Sequence, residues 1–325
     1  MESTRAPFLR WTAGTRRRHE VVGAALRRLA PALPTAPPPR EPVFILGSPR
    51  SGTTMLFNLL DRSPRLISLG KGSHFLWDMF HTIEGAGWSS HAVREDQVSD
   101  AERKVLYWVI RRLCSDGRYL DKFPRNCLRA EYLHALFPDA SFVYIWRDGR
   151  AVVSSLMTGW RTEGKFGHGT RLPAPLSVEG YSGREWRFLV PPGWEEYTSG
   201  HTLAEVCAFQ WIEANRAVLR AKERIGTDRW VDVRYEDVLG SPVDVTRRIF
   251  AGIGCELDDE VVRWASEIDT HVSRTAVSTP SRDKWRKEHP EEIESILPMI
   301  EPMMRTLGYE TDEFATGSAN AKRDA

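Results

Sequence analysis

Three strand-like runs, each followed at once by a helical pattern, set the plan of this chain. PVFILG (42–47) is stopped by Gly47, and TTMLFNLLDRSP then places Met55, Leu56, Leu59 and Leu60 at helical spacing before Pro64 closes the pattern. SFVYIW (141–146) passes into RDGRAVVSSLM, and WVDVRYED (230–237) into PVDVTRRIFAGIG. The first two runs lack polar alternation, which predicts strands covered on both faces. Strands alternating with helices predict an α/β fold, a doubly wound parallel sheet flanked by helices, whose ligands gather at the carboxyl ends of the strands. Further helical patterns span 99–114, 126–136, 202–225 and 290–307. Between them, 161–200 is rich in Gly, Pro and aromatic residues, a long connection of the functional kind. Residues 41–312 therefore form a single domain with this aromatic-rich insertion. Residues 1–40, with eight arginines, two acids and a proline-rich end, read as a basic arm. Within the arm Val21, Val22, Ala25, Leu26 and Leu29 line one face of a short helix, which admits a membrane-surface reading beside that of a docked arm. Residues 313–325 read as a flexible tail.

Composition narrows the class. With 325 residues, 41% hydrophobic and 27% charged, the chain can bury a large core without a metal or disulfide staple. Its four cysteines, Cys114, Cys127, Cys207 and Cys255, lie far apart, against a zinc ribbon or a secreted disulfide scaffold. No apolar run approaches the ~18 residues of a transmembrane segment, and no signal-peptide core opens the chain. These points place the protein in the cytoplasm. A net charge of +1 excludes a global case for nucleic-acid binding, so any anion site is local.

Such a site is written into Gly47-Ser48-Pro49-Arg50-Ser51-Gly52-Thr53-Thr54, which has the GxxxxG spacing of a phosphate loop between a predicted strand and a predicted helix. Backbone N–H groups and the positive end of the helix can cradle an anion there. Where a Walker loop continues with Lys and then Ser or Thr, this chain has Thr53 and Thr54. The strand at 141–146 ends on the cation Arg147 rather than a magnesium-binding aspartate, so basic residues and no metal neutralise the anion.

PRSGTT after one buried strand and RDGRAVVSS after another resemble the two signature regions of sulfotransferases that use 3′-phosphoadenosine 5′-phosphosulfate (PAPS), in the bacterial and tyrosylprotein-type branch of that P-loop-type fold. KFPRN (122–126), RYEDV (234–238) and DKWRK (283–287) fall in comparable places. The resemblance implies that Arg50, Ser51, Gly52, Thr53 and Thr54 hold the 5′-phosphosulfate, with Arg50 also meeting charge that develops during transfer. It implies that Arg147 and Ser155 bind the 3′-phosphate, a task that suits the planar fork of arginine. Tyr235 falls near the nucleotide, Lys284 closes over it with Arg282 close by, and Arg150 is left open between nucleotide and helix surface. Lys122 matches the lysine that steadies the leaving oxygen.

The base does not match. Where tyrosylprotein-type relatives carry a glutamate, this chain has Leu69-Gly70-Lys71-Gly72-Ser73-His74, and Pro124 stands where phenol-type relatives carry a histidine. His74 is the first candidate, because imidazole accepts a proton near neutral pH, with His168 and Asp78 behind it. Trp77, Trp88, Trp160, Trp186 and Trp194 flank these segments; their rings suit either an aromatic or lipid-like acceptor or the core. The expected function is sulfuryl transfer to a hydroxyl of a small-molecule acceptor. The alternatives are a P-loop small-molecule kinase using ATP and magnesium, and a catalytically inactive nucleotide-binding relative. A homodimer is left open.

Overall fold

Alternate residues of the central strands feed opposite cores. In β1 (Val43–Leu46), Val43 and Ile45 enter one apolar cluster while Phe44 and Leu46 enter another. The computed structural model describes residues 16–70, 74–114, 117–162, 169–270 and 284–310, with the backbone alone at 16–20, 74, 75 and 269. Its elements are α1 (Arg16–Leu29), β1, α2 (Thr53–Leu60), β2 (Leu66–Ser68), α3 (His74–Asp78), α4 (Asp100–Cys114), β3 (Arg118–Asp121), α5 (Ala130–Leu136), β4 (Ser141–Trp146) and α6 (Gly149–Arg161). There follow β5 (Thr170–Glu179), β6 (Tyr181–Trp186), β7 (Ser199–Thr202), α7 (Leu203–Ile225), β8 (Trp230–Arg234), α8 (Tyr235–Gly240), α9 (Pro242–Gly252), α10 (Asp259–Ser266), α11 (Trp285–Glu288) and α12 (Pro290–Thr306).

Five parallel strands form the main sheet in the order β2-β3-β1-β4-β8. Helices α2, α9 and α10 cover the face of Val43 and Ile45, and α4, α5, α6, α7 and α12 contribute to the core on the other. Phe44 anchors the second core against Phe142, Phe137 and Trp77, at ring-centroid distances of 6.0, 5.6 and 5.8 Å. Truncating such a ring to alanine costs about 3–5 kcal/mol. Because β1 lies between β3 and β4, four carboxyl ends (β3, β1, β4, β8) stand side by side, and the chain leaves β1 at the point where the winding reverses.

One expectation is corrected, and one pair of alternatives is decided. The strand over 230–237 ends at Arg234, and Tyr235, Glu236 and Asp237 begin α8, where two acids in the first turn favour a helix start. In the insertion, β5, β6 and β7 form a small sheet in the order β6-β5-β7, and its tryptophans are core. Trp160, Trp186 and Trp194 meet edge to face at 5.5 and 5.7 Å. Each indole N–H is bonded, to Gln210 Oε1, the Leu189 carbonyl and the Trp88 carbonyl respectively. Trp77 is likewise buried, and donates to Asp121.

Candidate active site

The loop between β1 and α2 is shaped by packing on its neighbours. A Cβ at Gly47 would stand 2.3 Å from the Ile145 carbonyl oxygen, so the loop leaves β1 pressed on β4. Gly52 has φ 97°, and a Cβ there would stand 2.4 Å from Cδ2 of Tyr235. Ser51 is spent within the loop, since its N–H and Oγ both donate to the Ser48 carbonyl, at 3.1 and 2.6 Å. Arg50 takes the left-handed conformation, φ 72°, a strain of about 1–3 kcal/mol that tends to collect at functional sites.

That strained backbone aims Arg50 toward β4's helix. Its Nε donates to Ser155 Oγ at 2.9 Å, and Arg147 reaches back through Nη1 to the Arg50 carbonyl at 3.4 Å. Burial first, and then repulsion from Arg147, lowers the Arg50 guanidinium to about 10, with Tyr235 opposing. It is still a cation at neutral pH. Two guanidiniums drawn together in a partly dry place lose free energy that a bound anion would restore. The Arg147 guanidinium in turn lies over Tyr235, 4.4 Å from the ring centroid.

The turn after Arg147 is braced. Asp148 caps α6 by accepting from the Arg150 N–H at 2.9 Å, while its own N–H donates to Glu236 Oε1 at 3.2 Å. Glu236 Oε2 accepts from the Tyr309 hydroxyl at 2.8 Å, and Arg234 covers the Tyr309 ring at 4.2 Å. Arg150 pairs with Asp148 and sits 5.3 Å from the Trp285 ring, which fixes its place on the α6 side of the site. Lys284, at the N-cap of α11, pairs with Glu288 at 2.6 Å.

Lys122 follows β3 and donates from Nζ to Thr54 Oγ1 at 3.2 Å, so the lysine reaches the start of α2. Thr53, beside it, is buried. The residue before Lys122 is a buried carboxylate: Asp121 accepts from Trp77 Nε1, the Tyr119 hydroxyl and Asn126 Nδ2 at 3.1, 3.0 and 2.9 Å. Asp78 is engaged by Arg125 at 2.9 Å and by Arg129 at 3.6 Å, which commits it to structure. His74 opens α3, and only its backbone is described. His168 and Arg282 lie outside the described residues. The geometry thus brings together Arg50, Thr54, Lys122, Arg147, Ser155 and Tyr235. Sequence reasoning missed Glu236, Tyr309 and Asp121; the first stands within the RYED run and the last directly before Lys122, where an acid beside a chosen cation was the available signal. Among the described residues no group of three or more His, Cys, Asp or Glu side chains is placed to hold a metal ion.

A glycine-bounded loop after the central strand, with arginine and lysine converging on it from the ends of the adjacent strands, defines a P-loop-type site for transferring an anionic group. Residues 42–173 match the family model described as the Sulfotransferase family. Protein-tyrosine sulfotransferase A of Caenorhabditis elegans is 24% identical over 301 residues, covering 82% of this chain and 67% of that protein. Nodulation protein NoeE of Sinorhizobium fredii is 27% identical over 297 residues, covering 82% and 65%. The chain thus spans about two thirds of the length of these relatives. The crystal structure of sulfotransferase STF9 from Mycobacterium avium has the same fold, with a TM-score of 0.52 at 18% identity, over 96% of this chain and 89% of that one. These matches, the family model over residues 42–173 and the relatives over 82% of the chain, support reading it as a sulfotransferase.

Proposed function

We propose that this protein moves a sulfuryl group from PAPS to a hydroxyl of a small-molecule acceptor. The observation that carries the donor assignment is the convergence of Arg50, Arg147 and Ser155 at one end of the loop and of Lys122 and Thr54 at the other. PAPS has two anionic ends to match, and supplies the sulfuryl group between a 5′-phosphate and the acceptor. Arg147 and Ser155 suit the 3′-phosphate; the N–H groups at Gly52, Thr53 and Thr54 at the head of α2 suit the 5′ side, with Ser51 holding the loop in shape. Tyr235, Lys284 and Arg282 complete the nucleotide side.

In-line transfer asks the protein mainly for positioning and for charge placed where charge develops. Lys122 meets the leaving oxygen, and Arg50, held at Nε by Ser155, meets the equatorial charge. His74 is our candidate to take the acceptor proton, standing at the start of α3 beyond β2. Residues 41–312 are the transferase unit, and 161–200 lies on the acceptor side. Scattered free cysteines, three of the four buried, suit a cytoplasmic setting and a small-molecule acceptor there. The kinase alternative is disfavoured by Thr53, a buried side chain where a Walker lysine would reach a γ-phosphate.

A thermal-shift titration tests the donor. Adenosine 3′,5′-bisphosphate should raise the melting temperature of the wild type, ATP with magnesium should not, and Arg147→Ala should lose the shift. A shift with ATP and magnesium alone would overturn the reading. Phenols and a tyrosine peptide, compared as acceptors with labelled PAPS, test the acceptor class; turnover of the peptide alone would overturn the small-molecule assignment.

A further inference from the structure

Helix α1 is docked on one side only. Gly23 is buried against Met79, Arg27 donates to the Met79 carbonyl oxygen, Leu26 packs against the core, and Ala30 just beyond the helix is buried. The other side presents Val21, Ala25 and Leu29, spaced i, i+4, i+8, with Arg28 beside them, all exposed. Val21 is 64% and Leu29 53% exposed, and among the described residues these two are the large apolar side chains that stand in solvent. Both fall on one face of one helix.

The charge around this face is lopsided. Residues 1–40 hold eight arginines against two acids, whereas the remainder of the chain holds 37 basic and 42 acidic side chains. No Asp or Glu occurs from Ser3 to His19, a stretch that also carries Phe8, Leu9 and Trp11 among its arginines. Residues 1–40 thus carry a net charge of +6 and the rest of the chain −5, so the net-positive part of the sequence is the part that contains this helix.

We propose that α1 is a peripheral anchor for an anionic lipid bilayer, with Val21, Ala25 and Leu29 entering the interface and the arginines pairing with headgroup phosphates. A basic helix with an apolar strip suits the headgroup boundary, where both surfaces are satisfied at once. Nucleic acid offers the phosphates but no apolar layer for Val21 and Leu29. The acidic remainder of the chain is repelled by the same surface, which orients the molecule with α1 toward the lipid. Because Gly23, Leu26 and Arg27 tie the helix to the core, membrane contact holds the whole enzyme at the surface.

Vesicle flotation of the full chain tests this. Binding to phosphatidylcholine vesicles containing phosphatidylserine should exceed binding to phosphatidylcholine alone by about tenfold or more, and should fall as salt is raised. Arg28→Glu should weaken it by roughly fivefold or more, and so should Val21→Ser with Leu29→Ser. Both variants should keep the wild-type melting temperature, since the altered side chains face solvent. Equal binding to both vesicles, no binding, binding unchanged in the double serine variant, or displacement by a short DNA duplex as effective as by salt would each overturn the proposal. Should the double variant melt early, Arg28→Glu and the vesicle comparison decide the matter by themselves.

Discussion

Tyr235 touches both halves of the candidate site: its ring lies 4.4 Å from the Arg147 guanidinium and closes on Gly52 from the other side. The ring therefore holds Arg147 at the loop and leaves no room for a side chain at Gly52. Tyr235→Phe keeps the face and should bind adenosine 3′,5′-bisphosphate within about twofold of the wild type. Tyr235→Leu loses the cation–π contact, worth about 0.5–2 kcal/mol, and should bind roughly 2- to 30-fold more weakly. Titration calorimetry reads the difference, and equal affinity for all three would show that the ring does not position Arg147.

Glu236 supplies the second hold on the same turn, accepting from the Asp148 N–H while Tyr309 donates to its other oxygen. Glu236→Ala leaves that N–H without its acceptor, at a cost of about 1–3 kcal/mol. The loss should fall on the 3′-phosphate. The affinity ratio of adenosine 3′,5′-bisphosphate to adenosine 5′-phosphate should drop by about fivefold or more, and Glu236→Gln should restore most of it because its carbonyl oxygen still accepts. A uniform loss for both nucleotides would mark Glu236 as merely structural.

These braces explain what could and could not be read in advance. SFVYIW declares its strand because alternate residues feed two cores at once, with five of the six buried, and the observed β4 is the same six residues. Strands β2 (LIS) and β3 (RYLD) escaped notice, since three or four residues are too few to display a period and both carry polar ends. The candidate site residues were legible as motifs, but Arg50 and Ser155 are 105 residues apart, and only the β1–β4 pairing brings them into contact. Likewise the insertion's tryptophans were visible as aromatics, whereas their burial depends on Trp160 and Gln210, which come from α6 and α7.

Lys122 should act on the rate rather than on binding. Its ammonium is held at Thr54, beside the head of α2, and Asp121 with its three donors fixes the backbone just before it. Lys122→Met should lower kcat by about 10²–10³, the scale for removing a donor aimed at developing charge. Affinity for the bisphosphate should change by no more than about threefold, close to half a pair's worth of binding energy for a partly exposed charge. Single-turnover kinetics separates the two, and a loss confined to binding would remove Lys122 from the transfer step.

His91 links the aromatic-rich insertion to acid sensitivity. It is 1% exposed; its Nδ1 accepts from the Val190 N–H at 2.8 Å, so Nε2 carries the proton and donates to Thr170 Oγ1 at 3.2 Å. Burial, with Arg125 and Arg129 adding repulsion, holds its pKa well below the ordinary 6.5. In the unfolded chain the same ring gains its proton near 6.5. Below that pH the unfolded state therefore binds the extra proton, and stability falls as pH falls, by up to about 1.4 kcal/mol per unit from this residue; above it, His91 contributes no slope. Urea unfolding at several pH values between neutral and 5 should show this decline, and His91→Asn, whose side-chain oxygen can still accept from Val190, should show a shallower one. His289, also lowered by burial, leaves part of the slope in the variant. An unchanged slope in His91→Asn would mean that this ring gains its proton as readily in the folded protein as in the unfolded chain, which requires Nδ1 to give up the bond from the Val190 N–H.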